Sequence, residues 1–500
     1  MTAHSTSLPH LNAEIANKKT ELPERVLQFG EGGFLRGFVD WMIHGMNRKG
    51  LFNGRVVVAQ PIERGLVDVL NKQNGVYTML MRGIENGKVV ENTELVRSIS
   101  RGINPYTDFN DFLQTMHNPE LRFVVSNTTE AGIVYRAEDN QEDKPQVSFP
   151  GKLTRLLLER YKTFNGDAAK GLVMIPCELI DRNGDKLKKA VLKTAENWKL
   201  DAKFVEWVEK HNIFTNTLVD RIVTGYPKAE VEGLWKKAGY EDTLYNTSEQ
   251  FHFWVIEGPE ELGKELPLID AGFNVVFTKD MTPYRERKVR ILNGAHTGMS
   301  LGAYLAGKNL VGDCMKDELI HSHIQKMVSE EIIPVLTLPK AELDMFAAAV
   351  LERFANPFIA HELLSISLNS VSKYATRNLP TLEKYVSVKN EVPKRLAFGL
   401  SALIAFYRGS EIKNGALIGS RDGVEYPIKD NEDILQEFVA IWKKYDGTEA
   451  GAAAVADAVL AKEAWWGGKD LRTVPGLAKV VSAQLNTILT KGAQAAFATL

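Results

Sequence analysis

Between residues 25 and 126 the chain alternates short apolar runs with amphipathic stretches. Residues 25–29 (RVLQF), 55–59 (RVVVA) and 121–126 (LRFVVS) are compact and rich in β-branched and aromatic side chains, which predicts strands. Between the first two, Phe34, Phe38, Trp41, Met42 and Gly45 recur at helical spacing, so 34–46 is expected to be a helix, and 61–73 a second one. The alternation over 76–100, with Glu85-Asn86-Gly87 in its middle, predicts antiparallel strands around a tight turn. A helix opening at Phe149 and a buried strand over 171–176 extend the pattern. Such βαβ alternation predicts an α/β Rossmann-type domain, with a mostly parallel sheet covered by helices on both faces.

The texture changes after Asp280. Residues 284–306, 316–333, 341–353, 357–374, 394–407 and 433–444 carry a 3.6-residue apolar period, and the Ala-rich 450–462 and 475–499 continue it. The expected organisation is an α/β dinucleotide-binding domain at 1–281 and an all-α substrate and catalytic domain at 282–500. The first 20 residues are expected to form a loose arm.

Charge and composition narrow the function. Lys and Arg number 61 against 63 Asp and Glu, a net charge of -2, which argues against a strongly basic nucleic-acid binder. No run approaches the ~18 apolar residues of a membrane span, and the first 20 residues lack the apolar core of a secretory signal. The two cysteines, Cys177 and Cys314, form no CxxC pair, so a disulfide framework is excluded and a reducing cytoplasm is expected. A 500-residue chain of this composition reads as a multi-domain enzyme.

Two constellations carry candidate chemistry. Gly30-Glu31-Gly32-Gly33-Phe34-Leu35 falls between the first strand and first helix, where a dinucleotide pyrophosphate meets backbone amides. Leu35 stands where a third glycine is usual, so a strand-to-helix turn that needs glycine for geometry alone stays open. Past the second strand, Glu63 favours NAD through the ribose, whereas Arg64 would accept a 2′-phosphate. The balance favours NAD.

The second constellation is Lys288, Asn293 and His296. On an α-helix at ~100° per residue they fall at about 0°, 140° and 80°, within one sector. A lysine, an amide and an imidazole so placed form an acid/base centre without metal: the lysine moves a proton, the amide holds a carbonyl oxygen and the imidazole orients them. Arg285, Arg287 and Arg290 would lower the lysine's pKa. A charged surface helix with a satisfied histidine is the alternative. No metal is expected: His361-Glu362 is followed by Ser365 rather than the second histidine of HExxH, and His321 and His323 lack partners at zinc spacing.

Together these residues resemble the long-chain mannitol dehydrogenase family of zinc-independent polyol and sugar-acid dehydrogenases, over nearly the whole chain. Gln28-Phe29-Gly30-Glu31-Gly32-Gly33-Phe34-Leu35-Arg36-Gly37-Phe38 is similar to its nucleotide turn, and Lys288-xxxx-Asn293-xx-His296 to its catalytic signature. The resemblance implies cofactor contacts from Phe29, Gly30, Gly32, Gly33, Phe34 and Arg36, with NAD as cofactor. It makes Lys288 the general acid/base, Asn293 a holder of the carbonyl oxygen and His296 an orienting residue. Phe214-Thr-Asn-Thr-Leu-Val-Asp220-Arg221-Ile222 and Arg353-Phe-Ala-Asn356-Pro357 are further matches, and the first would bring Asp220 to the substrate. One departure stands out: Leu179 replaces an asparagine expected in the oxyanion hole, within Cys177-Glu178-Leu179 and ahead of Asn183-Gly184. That departure argues against plain mannitol. The surrounding variant motifs resemble the family's sugar-acid branch, implying NAD-linked interconversion of D-altronate and D-tagaturonate. A related dehydrogenase of fructuronate, mannonate or mannitol, and a nucleotide-binding sensor without turnover, stay open. For a uronate carboxylate Lys373 and Arg377 are the candidates. The expected partner is a small-molecule sugar acid, with no nucleic acid and no membrane, and the expected state is a monomer.

Overall fold

The computed structural model describes residues 8–18, 22–129 and 131–500. Contacts divide the chain into two compact units, one of 1–83 and 89–281, the other of 84–88 and 282–500.

The largest sheet of the first unit has six strands: β1 (Glu24–Phe29), β2 (Arg55–Ala59), β3 (Ile99–Ile103), β4 (Phe123–Ser126), β5 (Val173–Pro176) and β6 (Ile213–Phe214). They lie in the order β3-β2-β1-β4-β5-β6, every neighbour parallel. This is the doubly wound order, with its topological switch between β1 and β4. Alternate strand residues feed two apolar layers. Val26, Val56, Val58, Val125 and Ile175 point into one; Leu27, Phe29, Val57, Ala59, Val124 and Met174 point into the other. Burial on both faces is why these strands read as continuous apolar runs.

Several local expectations need correction. The helix expected over 34–46 is two, Gly33–Arg36 and Val39–Arg48, because Phe38 at φ -130°, ψ -79° breaks the ladder. The helix expected over 61–73 shortens to Val67–Lys72. The Gln60 amide accounts for this: it donates to the carbonyls of Ile62 and Glu63 (2.9 Å each) and holds a loop there instead. The loose arm falls partly on residues 1–7 and 19–20, outside those described. Residues 8–18 are docked: Leu11 and Ala16 are buried with Val76, and Leu11 N–H donates to the Glu241 carbonyl at 2.8 Å.

The second unit is helix-rich, with one departure from the all-α expectation. Gly409–Lys413, Ala416–Arg421 and Val424–Ile428 form a three-stranded antiparallel sheet. Its two-residue turns, Asn414-Gly415 and Asp422-Gly423, have positive φ at both positions, the geometry that matches strand twist. No helix among the described residues is long and apolar enough to cross a membrane.

Candidate active site

In the first unit the β1 turn is shaped by glycine and fixed by arginine. Gly30 has φ +120°, and a Cβ there would stand 3.2 Å from the Asn127 carbonyl oxygen. At Gly32 a Cβ would meet nothing within 4 Å, so the backbone lies open to a ligand. The helix that follows has only four residues. What this turn can offer a phosphate is therefore the open Gly32 backbone rather than a helix dipole.

Two residues assigned to the cofactor sit elsewhere. The Phe29 ring is fully buried against Phe149 and Phe112, with centroids 4.8 and 5.9 Å away, so only its backbone can reach the turn. Arg36 is also buried. Its guanidinium donates to the carbonyls of Glu31 (3.1 Å) and Leu244 (2.5 Å) and rests over the Tyr77 ring. It braces the turn. Gly33 accepts a bond from the Asn246 amide at 2.8 Å, and the half-buried Phe34 stacks on Phe38. Glu63 and Arg64 are exposed on the loop after β2.

Beyond β4 and β5 a second hub forms. Glu178 is buried and accepts bonds from the Ser126 and Thr128 hydroxyls and the Thr128 N–H, at 2.9–3.1 Å. Burial pushes its carboxyl above the usual range. Asn183 donates to the Pro176 and Glu178 carbonyls and accepts from Thr217 and Gly184 N–H, so strand end and helix start share one side chain. Leu179, between them, is 65% exposed, an apolar residue offered to solvent in this unit. Asp220 closes the strand Asn216–Asp220 and is buried. Its neighbour Arg221 donates to the Gly37 carbonyl at 2.6 Å, in the break between the two helices after the glycine turn, and lies over Trp41.

In the second unit the Lys288 motif is not α-helical. Lys288–Asn293 forms a π-helix between the α-helices Thr282–Arg287 and Gly294–Leu305. A π turn bonds residue i to i+5, so Lys288 and Asn293 stand one hydrogen-bonded turn apart, and the angles expected from an α-helix do not apply. Such single turns of π-helix are frequent at functional sites. The arginines are also otherwise engaged. Arg287 is buried over Phe346 and pairs with Glu342, while Arg290 donates to the carbonyls of Thr376 and Arg377.

The cations gather instead around His296. Its ring stacks on Phe354 at 4.1 Å and meets His361 edge-on at 5.1 Å, and its Nε2 is buried without a hydrogen-bond partner. Burial, followed by the charges of His361, Arg353, Arg377 and Lys373, holds the imidazole well below its usual pKa and therefore neutral. Arg377 donates to the Thr297 hydroxyl at 3.2 Å and Lys373 to the Ile366 carbonyl at 2.8 Å. His361 and Arg353 are members of this cluster that the sequence marked only as motif positions. Among the described residues no three His, Cys, Asp or Glu side chains converge as a metal ligand set.

Known proteins resemble this chain. Residues 24–270 match the family described as Mannitol dehydrogenase Rossmann domain, and 280–489 that described as Mannitol dehydrogenase C-terminal domain. An altronate oxidoreductase of Pectobacterium carotovorum is 48% identical over 475 residues, covering 95% of this chain and 96% of its own. One of Escherichia coli is 47% identical over 473 residues, covering 94% and 96%. Among solved structures, substrate-free D-sorbitol dehydrogenase superposes with a TM-score of 0.80 at 20% identity, covering 98% of this chain and 100% of its own. Pseudomonas fluorescens mannitol 2-dehydrogenase, in a ternary complex with NAD and D-mannitol, gives 0.66 at 21%, covering 98% and 99%. Identity at this level speaks for the fold, whereas the two domain matches cover most of the sequence, and the chain belongs to the mannitol dehydrogenase family.

Proposed function

We propose that the chain is an NAD-dependent oxidoreductase that interconverts D-altronate and D-tagaturonate by hydride transfer. The observation that carries the substrate class is the pair of cations Lys373 and Arg377 beside a neutral His296. A sugar acid brings a carboxylate that these two cations can meet, which an uncharged polyol does not. Near-full-length relatives at 47–48% identity bear the name altronate oxidoreductase, which supports the same reading.

The roles divide between the units. The open backbone at Gly32, with Gly30 and Gly33, would hold the pyrophosphate in the first unit, and NADH bound there supplies the hydride. Glu63, on the loop after β2, would take the adenosine ribose and favour NAD over NADP. In the second unit Lys288 donates a proton to the developing alkoxide in reduction and accepts it in oxidation. Asn293 donates to the carbonyl oxygen, and the neutral His296 uses its unpartnered Nε2 to orient the substrate. Leu179 cannot supply a second amide to the oxyanion hole. Asp220, buried at its strand end, is assigned to substrate through the family motif. Both thiols are free and buried, in keeping with a cytoplasmic setting.

The test is an NADH-absorbance assay over tagaturonate, fructuronate and fructose, with altronate, mannonate and mannitol in reverse. Tagaturonate and altronate should give the highest kcat/KM, and a preference for fructose or mannitol overturns the assignment. Lys288→Ala should lower kcat by at least about 100-fold, the lower range for a general acid/base, with NADH affinity little changed. Near-normal turnover in the folded variant would remove Lys288 from the mechanism.

A further inference from the structure

Beneath the glycine turn lies a buried acid that the mechanism does not use. Asp40, on the helix Val39–Arg48, and Gln28, on β1, are both 0% exposed. The Gln28 amide nitrogen donates twice, to the Gly30 carbonyl and to Asp40 Oδ2, each at 3.0 Å. That double bond fixes the amide's orientation, because its oxygen turned the other way would oppose two acceptors. Two oxygens are left over: Gln28 Oε1 and Asp40 Oδ1 are buried, and neither has a donor. Two orphan acceptors in a dry core are costly, and one proton on the Asp40 carboxyl turns one of them into a donor.

We propose that Asp40 is carried as a neutral acid paired with the Gln28 amide, and that this pair is a positioning device for the nucleotide turn. Gly30, the residue whose carbonyl the pair holds, is the glycine of the turn whose φ other residues rarely adopt. Loss of the Asp40 proton places a charge in the core and removes the acid's donor, and the charge then draws the Gln28 amide nitrogen towards Asp40 and away from the Gly30 carbonyl it also holds. Burial outweighs the Gln28 bond and the Arg36 charge, and sets the Asp40 pKa at about 7. Tyr77, Asp242 and Arg221 belong to the same buried cluster and act on it through Tyr77 and Arg36. The device therefore works across neutral pH. The inference rests on the reading that the turn holds NAD.

The experiment compares wild type with Asp40→Asn, whose amide can make both bonds to Gln28 without ionising. NADH dissociation constants are measured by fluorescence at pH 6 and pH 8, with melting temperatures from pH 5 to 8. For a competent fraction set by this ionisation, the wild-type Kd should rise about tenfold between the two pH values, whereas the variant's should stay flat. A flat wild type, or an equal rise in Asp40→Asn, overturns the proposal. The sign for stability follows from the raised acid. Between about pH 4 and 7 the folded state keeps a proton that the unfolded chain has lost, so stability falls as pH rises through that window. The wild-type Tm should drop over this range relative to Asp40→Asn, and equal slopes also overturn the pairing. Should Asp40→Asn fail to fold, Gln28→Met leaves Asp40 ionisable and unpaired; it should bind NADH weakly at both pH values, and wild-type behaviour overturns the proposal. If wild type binds no NADH at either pH while the Tm difference is present, the nucleotide reading fails and the acid–amide pair stands.

Discussion

Arg377 and Lys373 act on His296 through charge alone, while their own donors are partly taken by Thr297 and the Ile366 carbonyl. Neither forms an ion pair with a carboxylate among the described residues, although Asp430 opposes the lowering of the Lys373 pKa. A substrate carboxylate would thus meet a guanidinium with donors to spare. A hydrogen bond to a charged group contributes about 1.5–3 kcal/mol, so Arg377→Gln should raise KM for altronate by about 10–100-fold. The same variant should leave KM for an uncharged polyol little changed, because no charge is there to lose its partner. Equal losses on both substrates would mean that Arg377 serves only to hold Thr297 and the start of Gly294–Leu305. Removing a cation should also relax the suppression of the His296 pKa, moving it up towards the ordinary imidazole range.

At the scale of elements, Gly30 and Gly32 make opposite demands. Gly30 is needed by the fold, since a side chain at φ +120° is strained and meets the Asn127 carbonyl. Gly32 is unconstrained, and a methyl there would meet only what binds. Gly30→Ala should lower thermal stability by about 1–3 kcal/mol. Gly32→Ala should leave the Tm in place and weaken NADH binding; calorimetry and fluorescence titration separate the two. Unchanged NADH affinity in Gly32→Ala would move the phosphate site off this turn. Elements of this kind were legible where burial on both sheet faces wrote continuous apolar runs, as at 55–59. They were illegible where one side chain decides the backbone: Gln60 holding a loop in place of helix, or Phe38 breaking one. The π turn at Lys288–Asn293 has no sequence signature, so the motif named the residues without their geometry. The sheet at Gly409–Ile428 did leave a signal in its Asn-Gly and Asp-Gly turns, but the helical period on either side masked it. Gln28, Asp40, Glu178 and Asn183 were missed as hubs because a buried polar residue inside an apolar run looks like noise until its partners, tens of residues away, are known.

Across the whole molecule, three enclosed histidines each make their own contribution to stability fall in acid. His44 and His252 in the first unit are pushed down to about 4, by burial and then by neighbouring arginines, and His323 in the second to about 3. A folded pKa below the unfolded value of about 6.5 means that the unfolded chain takes up the proton first. The stabilisation is therefore complete above pH 6.5 and lost progressively as pH falls towards the folded pKa. His323 gives the cleanest test. It is buried between Phe398 and Phe497, with ring centroids 5.5 and 5.0 Å away, and neither ring nitrogen has a hydrogen-bond partner. Nothing there stabilises its cationic form, and Arg395 opposes it. From pH 6.5 to pH 5 one such group removes about 2 kcal/mol, at 1.36 kcal/mol per unit. His323→Leu abolishes that loss and also removes a buried N–H without an acceptor, so the variant should be at least as stable as wild type at pH 7. Urea unfolding of the second unit at pH 7 and pH 5 measures the difference, and the acid-induced loss should shrink by about 2 kcal/mol in the variant. An undiminished loss would show that His323 is protonated without penalty in the folded state, which requires a donor-accepting partner that its present surroundings of two phenylalanine rings do not provide.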